Sequence, residues 1–593
     1  MGKKAKQRND RPKKRKFHGN MYFKKLKFDG DCDKENESSS VTESVIEDVV
    51  QDIDNESSHG DAEQISTNTS FMKLNSSVNV ENSYSDSNTG YRLFDLQNLV
   101  NFMRVFPCPS CEEHCGFDLT ENNCGLSCKV SFSCIKCKET FTLNSSNENI
   151  NLRFQLSMYS IGCHYEQGKK LLGNMNMPPP VSVTRSNHFK SRIHNATAIV
   201  ANTVQEEAAS ELRSSQLSED VTVSCDGTWQ RRGFVSKNGV STVLSVNPKG
   251  PPKVIDTFTS SSYCDKCSKS KKKLSPEQFL IWKEKHAEEC EQNHVGTAGA
   301  MEPQGILKIF QRSQEKYGLN YVGYLGDGDS KSYKTVADAD PEIYTGKSIT
   351  KYECCGHVQK RMGRRLMDKV SECKGKLYKE NGKQYKGIGG AGRLTQSAIK
   401  RIQGHYGGAI RKNAGNIVAM KKAVWAIWKH RTGVHDDCGK WCIGQKDLDK
   451  ANKNKLPKFV TDEIKPVFEI LSSNALLEKC LHGGTQNANE SFHNLIWKRC
   501  PKTVFVGKKR LEIAVHDATI VYNQGELGRR EVFKLLGLDC GFYAEASFRA
   551  SDKKRIMSSL SVQQNQNCMS KSSKTRVTNA DDHIDDIYIP GGF

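Results

Sequence analysis

The stretch VTVSCDGTWQRRGFVSKNGVSTVLSVNPKGPPKVIDTF (221–258) decides the fold. Three runs in it, VTVSC, VSTVLSV and KVIDTF, are short, rich in β-branched residues and separated by Gly, Asn and Pro, so each reads as a strand. Upstream, residues 150–215 have a helical pattern, with one amphipathic stretch before MPPPVS and a long one from about Ser186 to Ser214. The prolines Pro178 to Pro180 stop the first helix, and the chain restarts after them. Downstream comes a Cys/His segment, then an amphipathic helix over Ala300–Tyr317 with Ile306, Leu307, Ile309 and Phe310 on one side and Gly318 as its stop. YVGYL (321–325), closed by GDGD, is a fourth strand and SITKYEC (348–354) a fifth. The pattern from there to about Leu476 is mostly helical and basic, and residues 485–523 hold two more helical stretches around CPKTVFVG. This order predicts an α/β fold with mixed strand directions and a long helical segment before the next helix.

Charge narrows the partner. The chain of 593 residues carries a formal net charge of +20, which suits a polyanion, and nucleic acid is the commonest one. Arg11, Lys13, Lys14, Arg15 and Lys16, in RPKKRK, have the density of a nuclear import signal or a phosphate contact, so the nucleus is the expected location. From Asp29 to about Gly90 the sequence is acidic, rich in Ser and Asn, and expected to be disordered. The N-terminus has no apolar core of a secretory leader, and Lys6 stands where a myristoylation motif wants Ser or Thr. No apolar run approaches the roughly 18 residues of a membrane helix, so no membrane partner is expected. No small-molecule substrate is expected with a nucleic-acid partner either. The 22 cysteines then belong to a reducing compartment, where they serve as metal ligands or buried thiols.

Their spacing favours ligands. Cys108-x₂-Cys111 and Cys134-x₂-Cys137 form two knuckles that can close a tetrahedral Zn²⁺ site, as in a zinc ribbon, with Cys115, Cys124, Cys128 and His114 as competitors. Cys264, Cys267, His286 and Cys290 form a second set, with His286 and Cys290 expected on one helix face and His294 as a substitute for His286. His435, Cys438 and Cys442 form a third candidate that lacks a fourth ligand, for which Cys480 and His482 are available.

Phosphodiester chemistry with two divalent ions needs carboxylates converging from separate elements, and hard oxygen donors suit Mg²⁺ or Mn²⁺. Asp226 reads as just after the first strand and Asp327 as just after the fourth, where α/β folds place ligand-binding groups. Glu490 lies on the helical stretch TQNANESFHNLIW, with His493 and Asn494 one turn on. GDGD lacks the later ligands of a calcium loop.

VSCDGTWQRRGF, YLGDGDSKSY, ECCGHVQKR and CLHGGTQNANESFHNLIWKRCPK together resemble the Mutator-like transposase domain of animal genomes. GNMNMPPPVS, TAGAME and IWKRCPKTVFVG extend the likeness, which is collinear from RKFHGNMY (15–22) to about Asn523. The resemblance implies an RNase H-like catalytic core with a helical insertion and a DDE triad of Asp226, Asp327 and Glu490, with Asp329 as the rival second acid. It also matches Cys354 and His357 to a Cys-x-x-His signature, as a site-shaping or zinc-binding pair. The implied layout is a tail (1–90), a zinc-ribbon-like domain (91–145), a helical DNA-binding or linker domain (146–218) and a first core part (219–360) with a zinc-stapled insertion near 260–295. A helical insertion (361–475), a second core part (476–530) and a C-terminal tail (531–593) follow. The implied activity is metal-dependent cleavage and transfer of double-stranded DNA, at element ends and target, by a homo-oligomer. A non-catalytic DNA-binding descendant and an RNase H-like nuclease are the alternatives. His493 and Arg499 are candidates to meet the scissile phosphate, Arg499 equally to cap its helix.

Overall fold

The computed structural model describes residues 90–572, apart from 115, 147–148, 232–234, 247–249, 329–330, 440, 443–446, 448–451 and 454. Helix α1 (Leu96–Met103) starts on Asp95, whose carboxylate accepts from the N–H groups of Gln97 and Asn98. An antiparallel three-stranded sheet follows, β1 (Phe117–Cys124), β2 (Ser127–Cys134) and β3 (Thr140–Asn144), in that order. Three helices come next: α2 (Ile150–Ser160), α3 (Tyr165–Asn174) and the 34-residue α4 (Val183–Gln216), with MPPPVS between the last two.

The centre is a five-stranded sheet: β4 (Asp220–Trp229), β5 (Asn238–Ser245), β6 (Val254–Ser261), β7 (Asn320–Gly326) and β8 (Thr350–Glu353), in the order β6-β5-β4-β7-β8. Short turns join β4, β5 and β6, so these pair antiparallel. Between β6 and β7 lie two short helices, α5 (Asp265–Lys273) and α6 (Pro276–Lys285), and then α7 (Met301–Tyr317). A crossover of that length lets β7 return parallel to β4, and β8 repeats the direction after α8 (Lys331–Ala337). Period-two alternation gives the sheet two apolar faces. Val221, Val223 and Cys225 pack with Ile306, Ile309 and Phe310 of α7 on one face. Val240, Leu244 and Val254 meet α14 (Asn487–Arg499) and α15 (Lys508–Gln524) on the other.

Between β8 and α14 lie α9 (Cys355–Glu372), the hairpin β9 (Leu377–Glu380) and β10 (Lys383–Lys386), α10 (Gln396–Lys412), α11 (Ile417–Thr432), α12 (Lys458–Leu471) and the short α13 (Asn474–Glu478). They share a core that includes Val358, Met362, Ile402, Tyr406, Ile427, Ile464 and Phe468. The hairpin interrupts a segment read as helical. Its turn is Asn381-Gly382, both with positive φ (50° and 74°), the backbone that two-residue hairpins require.

Leu152, Phe189, Ile193 and Val200, within residues 146–218, share one core with Ile513 and Ile520 of α15. Past residue 530, α16 (Arg530–Leu535) and α17 (Phe542–Ser572) follow, with Val532, Phe533, Leu536 and Leu538 in that same core. Asp552 accepts from the backbone N–H groups of Glu526 and Leu527, at 2.9 and 3.3 Å, and ties α17 to the end of α15. No helix among the described residues is long and apolar enough to cross a membrane. Arg11, Lys13, Lys14, Arg15 and Lys16 lie outside the described residues.

Candidate active site and Cys/His clusters

β4 and β7 pair in parallel as far as Ser224 opposite Leu325. Two residues further along each chain stand Asp226 and Asp327, at the same end of the sheet. Asp226 lies within β4 rather than after it: the strand runs on through Trp229 with β5 as its partner, Asp226 opposite Thr242. Asp327 leaves β7 at once, its side chain 66 % exposed, and accepts from the Gly328 N–H at 2.6 Å. Asp329 lies outside the described residues.

Glu490 reaches this end because α14 is fastened along β4 by a polar stripe. Gln486 donates to the Cys225 carbonyl at 2.7 Å, and Asn489 accepts from the Ser224 hydroxyl at 2.6 Å. One turn on, His493 Nε2 meets the Thr242 hydroxyl at 3.0 Å, and Trp497 donates to the Thr228 hydroxyl at 2.9 Å. Ala488, Phe492 and Ile496 bury the adjacent stripe in the sheet core. Glu490, half-buried, is thereby brought close enough for its charge to act on Asp226.

A fourth acid joins them that sequence reading missed. Glu302, in the first turn of α7, lies against Gly227, where a Cβ would stand 2.5 Å from its carboxylate. Ser332 donates to it at 2.9 Å, and its charge acts on Asp226. TAGAME ends on this residue, but a glutamate opening a helix reads as a partner of the helix dipole. Burial, then the Glu302 charge, push Asp226 up to about 7, with Glu490 adding to the effect and the Gly227 N–H and His357 offsetting only part of it. Burial and the Asp327 charge likewise raise Glu302. The acids therefore share a site without enough positive charge to neutralise them.

Two histidines stand beside the acids. His493 Nδ1 lies 3.6 Å from Asp226, but burial and Lys502 push the ring down to about 3, so it is neutral. His357 Nδ1 lies 3.5 Å from Asp327, and the Cys354 thiol and Asp327 raise its pKa. The Cys354 sulfur also accepts from the Gln486 N–H at 3.3 Å, which links this pair to the segment that precedes Glu490. Cys354 and His357 belong to none of the Cys/His groups found among the described residues. Arg499 does not face the site. It is buried, pairs with Asp517 and donates to the Leu495 carbonyl of its own helix.

Three Cys/His groups each converge four donor atoms within 4.8 Å of one another, and each could hold a tetrahedral ion such as zinc. Cys108, Cys111, Cys134 and Cys137 sit at one end of the β1–β3 sheet, with sulfur pairs at 3.6 and 3.8 Å. Cys124 and Cys128 sit at the opposite hairpin end and take no part; Cys115 lies outside the described residues. Cys264, Cys267, His286 and Cys290 close the second group, but α6 ends at Lys285, so His286 and Cys290 share no helix face. His294 is held by Gln304 and the Thr297 carbonyl instead. In the third group the fourth donor is His430 of α11, with its Nδ1 3.0 Å from that of His435 and Cys442 3.4 Å from both. Neither Cys480 nor His482 supplies it: His482 bonds the Glu353 carbonyl and Cys480 packs beside Cys355. The signal for His430 was a second histidine five residues before His435.

The sequence model of the Mutator-like transposase matches residues 90–442. The chain belongs to that family. The likeness read from the quoted strings is borne out over this span, which takes in Asp226, Glu302, Asp327 and all three Cys/His groups of the Mutator-like transposase. It stops before Glu490, whose place at the site rests on the docking of α14. No curated protein matches this chain.

Proposed function

We propose that this Mutator-like transposase is a DDE-type enzyme in which Asp226, Asp327 and Glu490, with Glu302 beside them, hold divalent cations for cleavage and transfer of double-stranded DNA. The observation that carries the reading is the excess of carboxylate over cation at this end of the sheet, where burial and then the Glu302 charge push Asp226 up to about 7. Oxygen donors of this kind fit Mg²⁺ or Mn²⁺. Bound there, such an ion supplies Lewis-acid stabilisation of the charge that develops on the phosphate. The strand order β6-β5-β4-β7-β8, antiparallel on one side of β4 and parallel on the other, supports an RNase H-like core.

The residues around the acids have separate tasks. Gly227 leaves room for the Glu302 carboxylate. His493, neutral, orients Asp226, and Cys354 with His357 orients Asp327. The Cys/His groups are read as structural zinc sites that fasten segments with little core of their own. Basic segments bind element ends and target through phosphate contacts, the enzyme works as a homo-oligomer, and the basic run near the N-terminus directs it to the nucleus.

Incubation with Mg²⁺ and duplexes carrying candidate terminal repeats tests the reading. Nicking at the ends is expected, with a loss of about a thousandfold or more, roughly 4 kcal/mol of barrier, in Asp226→Asn and in Glu490→Gln. Cutting without end preference would support a nuclease instead, and binding without cutting a non-catalytic DNA-binding protein. Metal analysis of the purified protein should find more than one zinc per chain.

A further inference from the structure

A groove of about 810 Å³ opens at Asp327 and runs between α9 and α12. Its walls differ in character. Along α9 stand Lys360, Arg361, Arg364 and Arg365, while α12 contributes Pro466, Val467 and Ile470. Arg361 is committed to Glu353 at 2.7 Å and stands 3.9 Å from Asp327. Lys360, Arg364 and Arg365 are exposed, and no ion pair engages them among the described residues. Farther along α9 the charge balances: Asp368 and Glu372 appear, and Lys369 is shared between Glu372 and Glu463, at 3.4 Å each. The uncompensated positive charge is thus confined to the end of the groove that meets the acidic site.

We infer that this end of the groove carries the phosphate backbone of DNA flanking the scissile position, with Lys360, Arg364 and Arg365 as phosphate contacts. The inference rests on the reading of the acids as a DNA-cleaving site. Residues 360 to 365 span about 7.5 Å of helix axis, the rise of about two nucleotides. Three long cations there cover two or three consecutive phosphates. The facing apolar wall offers the sugars a surface without competing carboxylates. Contacts of this kind fix register and orientation and carry no base preference.

The test uses full-length protein and a fluorescent random-sequence DNA duplex in EDTA, so that binding is read without cleavage. Lys360→Gln, Arg364→Gln and Arg365→Gln combined should lower the slope of log K against log salt by about 1.8–2.7, at about 0.9 for each of two or three lost phosphate contacts. Affinity at low salt should fall at least tenfold, with the melting temperature unchanged because the three side chains are exposed. A triple Gln variant at Lys271, Lys272 and Lys273 of α5 serves as control. An unchanged slope in the groove variant, or an equal fall in the control, overturns the inference. So does tighter binding of duplex RNA than of duplex DNA. A photo-crosslinking residue in place of Arg364 gives a second readout: DNA adducts are expected, and their absence counts against the groove. If no form cuts DNA while the groove variant still loses binding, the cleavage reading fails and the groove assignment stands.

Discussion

Asp226 and Asp517 are both aspartates drawn out of water in the same molecule, and their surroundings drive them in opposite directions. At Asp517, on α15, burial alone would raise the carboxyl, but Arg529 and Arg499 outweigh it and hold it well below the usual range. Arg529 donates to it twice, at 2.8 and 2.6 Å, and Arg499 adds a further contact. At Asp226 burial acts in the same sense, the Glu302 charge adds to it, and the Gly227 N–H and His357 offset only part of the rise. The fold supplies its own counter-charge at one aspartate and withholds it at the other. A structural carboxylate is neutralised from within; on the proposed function, the candidate catalytic one takes its counter-charge from a bound cation.

The largest effect expected from breaking this contrast is at Asp517. Asp517→Ala leaves two buried guanidinium groups without their partner, and a loss of about 3–5 kcal/mol is expected by urea denaturation. Because the Asp517 carboxyl lies below its unfolded value, its contribution is present above about pH 5 and lost only on acidification, so the loss should be equal at pH 6 and pH 8.

Asp226 should behave in the reverse sense. Its folded pKa of about 7 lies above the unfolded value near 4, so stability is lost progressively as pH rises from about 4 to about 7 and stays lost above that. In metal-free buffer Asp226→Asn should therefore raise the melting temperature at pH 8 by a few degrees and leave it nearly unchanged at pH 4. A lower melting temperature at pH 8 would break the comparison. The smallest effect concerns cation affinity. Below about pH 7 a proton competes with the ion at Asp226, so the Mn²⁺ dissociation constant should weaken by up to tenfold per pH unit and level off above pH 7, as measured by calorimetry.

How much of this could be read in the sequence depended on range. The strands of the central sheet announce themselves through local β-branched runs, and the Cys-x₂-Cys knuckles through local spacing, because each signal lies within a few residues. Asp226, Asp327 and Glu490 came together only as an ordered set, since what unites them is a strand register and a docked helix some 260 residues away along the chain. Glu302 was hidden because its role depends on the missing side chain of Gly227, on another element. His430 was hidden inside a helical pattern. The packing of α16 and α17 was not legible because it depends on contacts such as Asp552 with Glu526 that no periodicity reveals. The Asn381-Gly382 turn was legible, yet the basic helical pattern around it overrode the signal.

The register that brings Asp226 level with Asp327 has a consequence for which length changes the gene can tolerate. Deleting one residue from 221–225 would slide β4 by one position and turn Asp226 to the opposite face, among Phe310 and Tyr324. Exposed turns between Glu353 and Gln486 are under no such constraint, because the register of β4 does not pass through them. Doubling the length of a flexible loop costs only about 0.6 kcal/mol in closure entropy. Insertions should therefore be tolerated at exposed turns such as Asn381-Gly382 and be purged from five residues of β4.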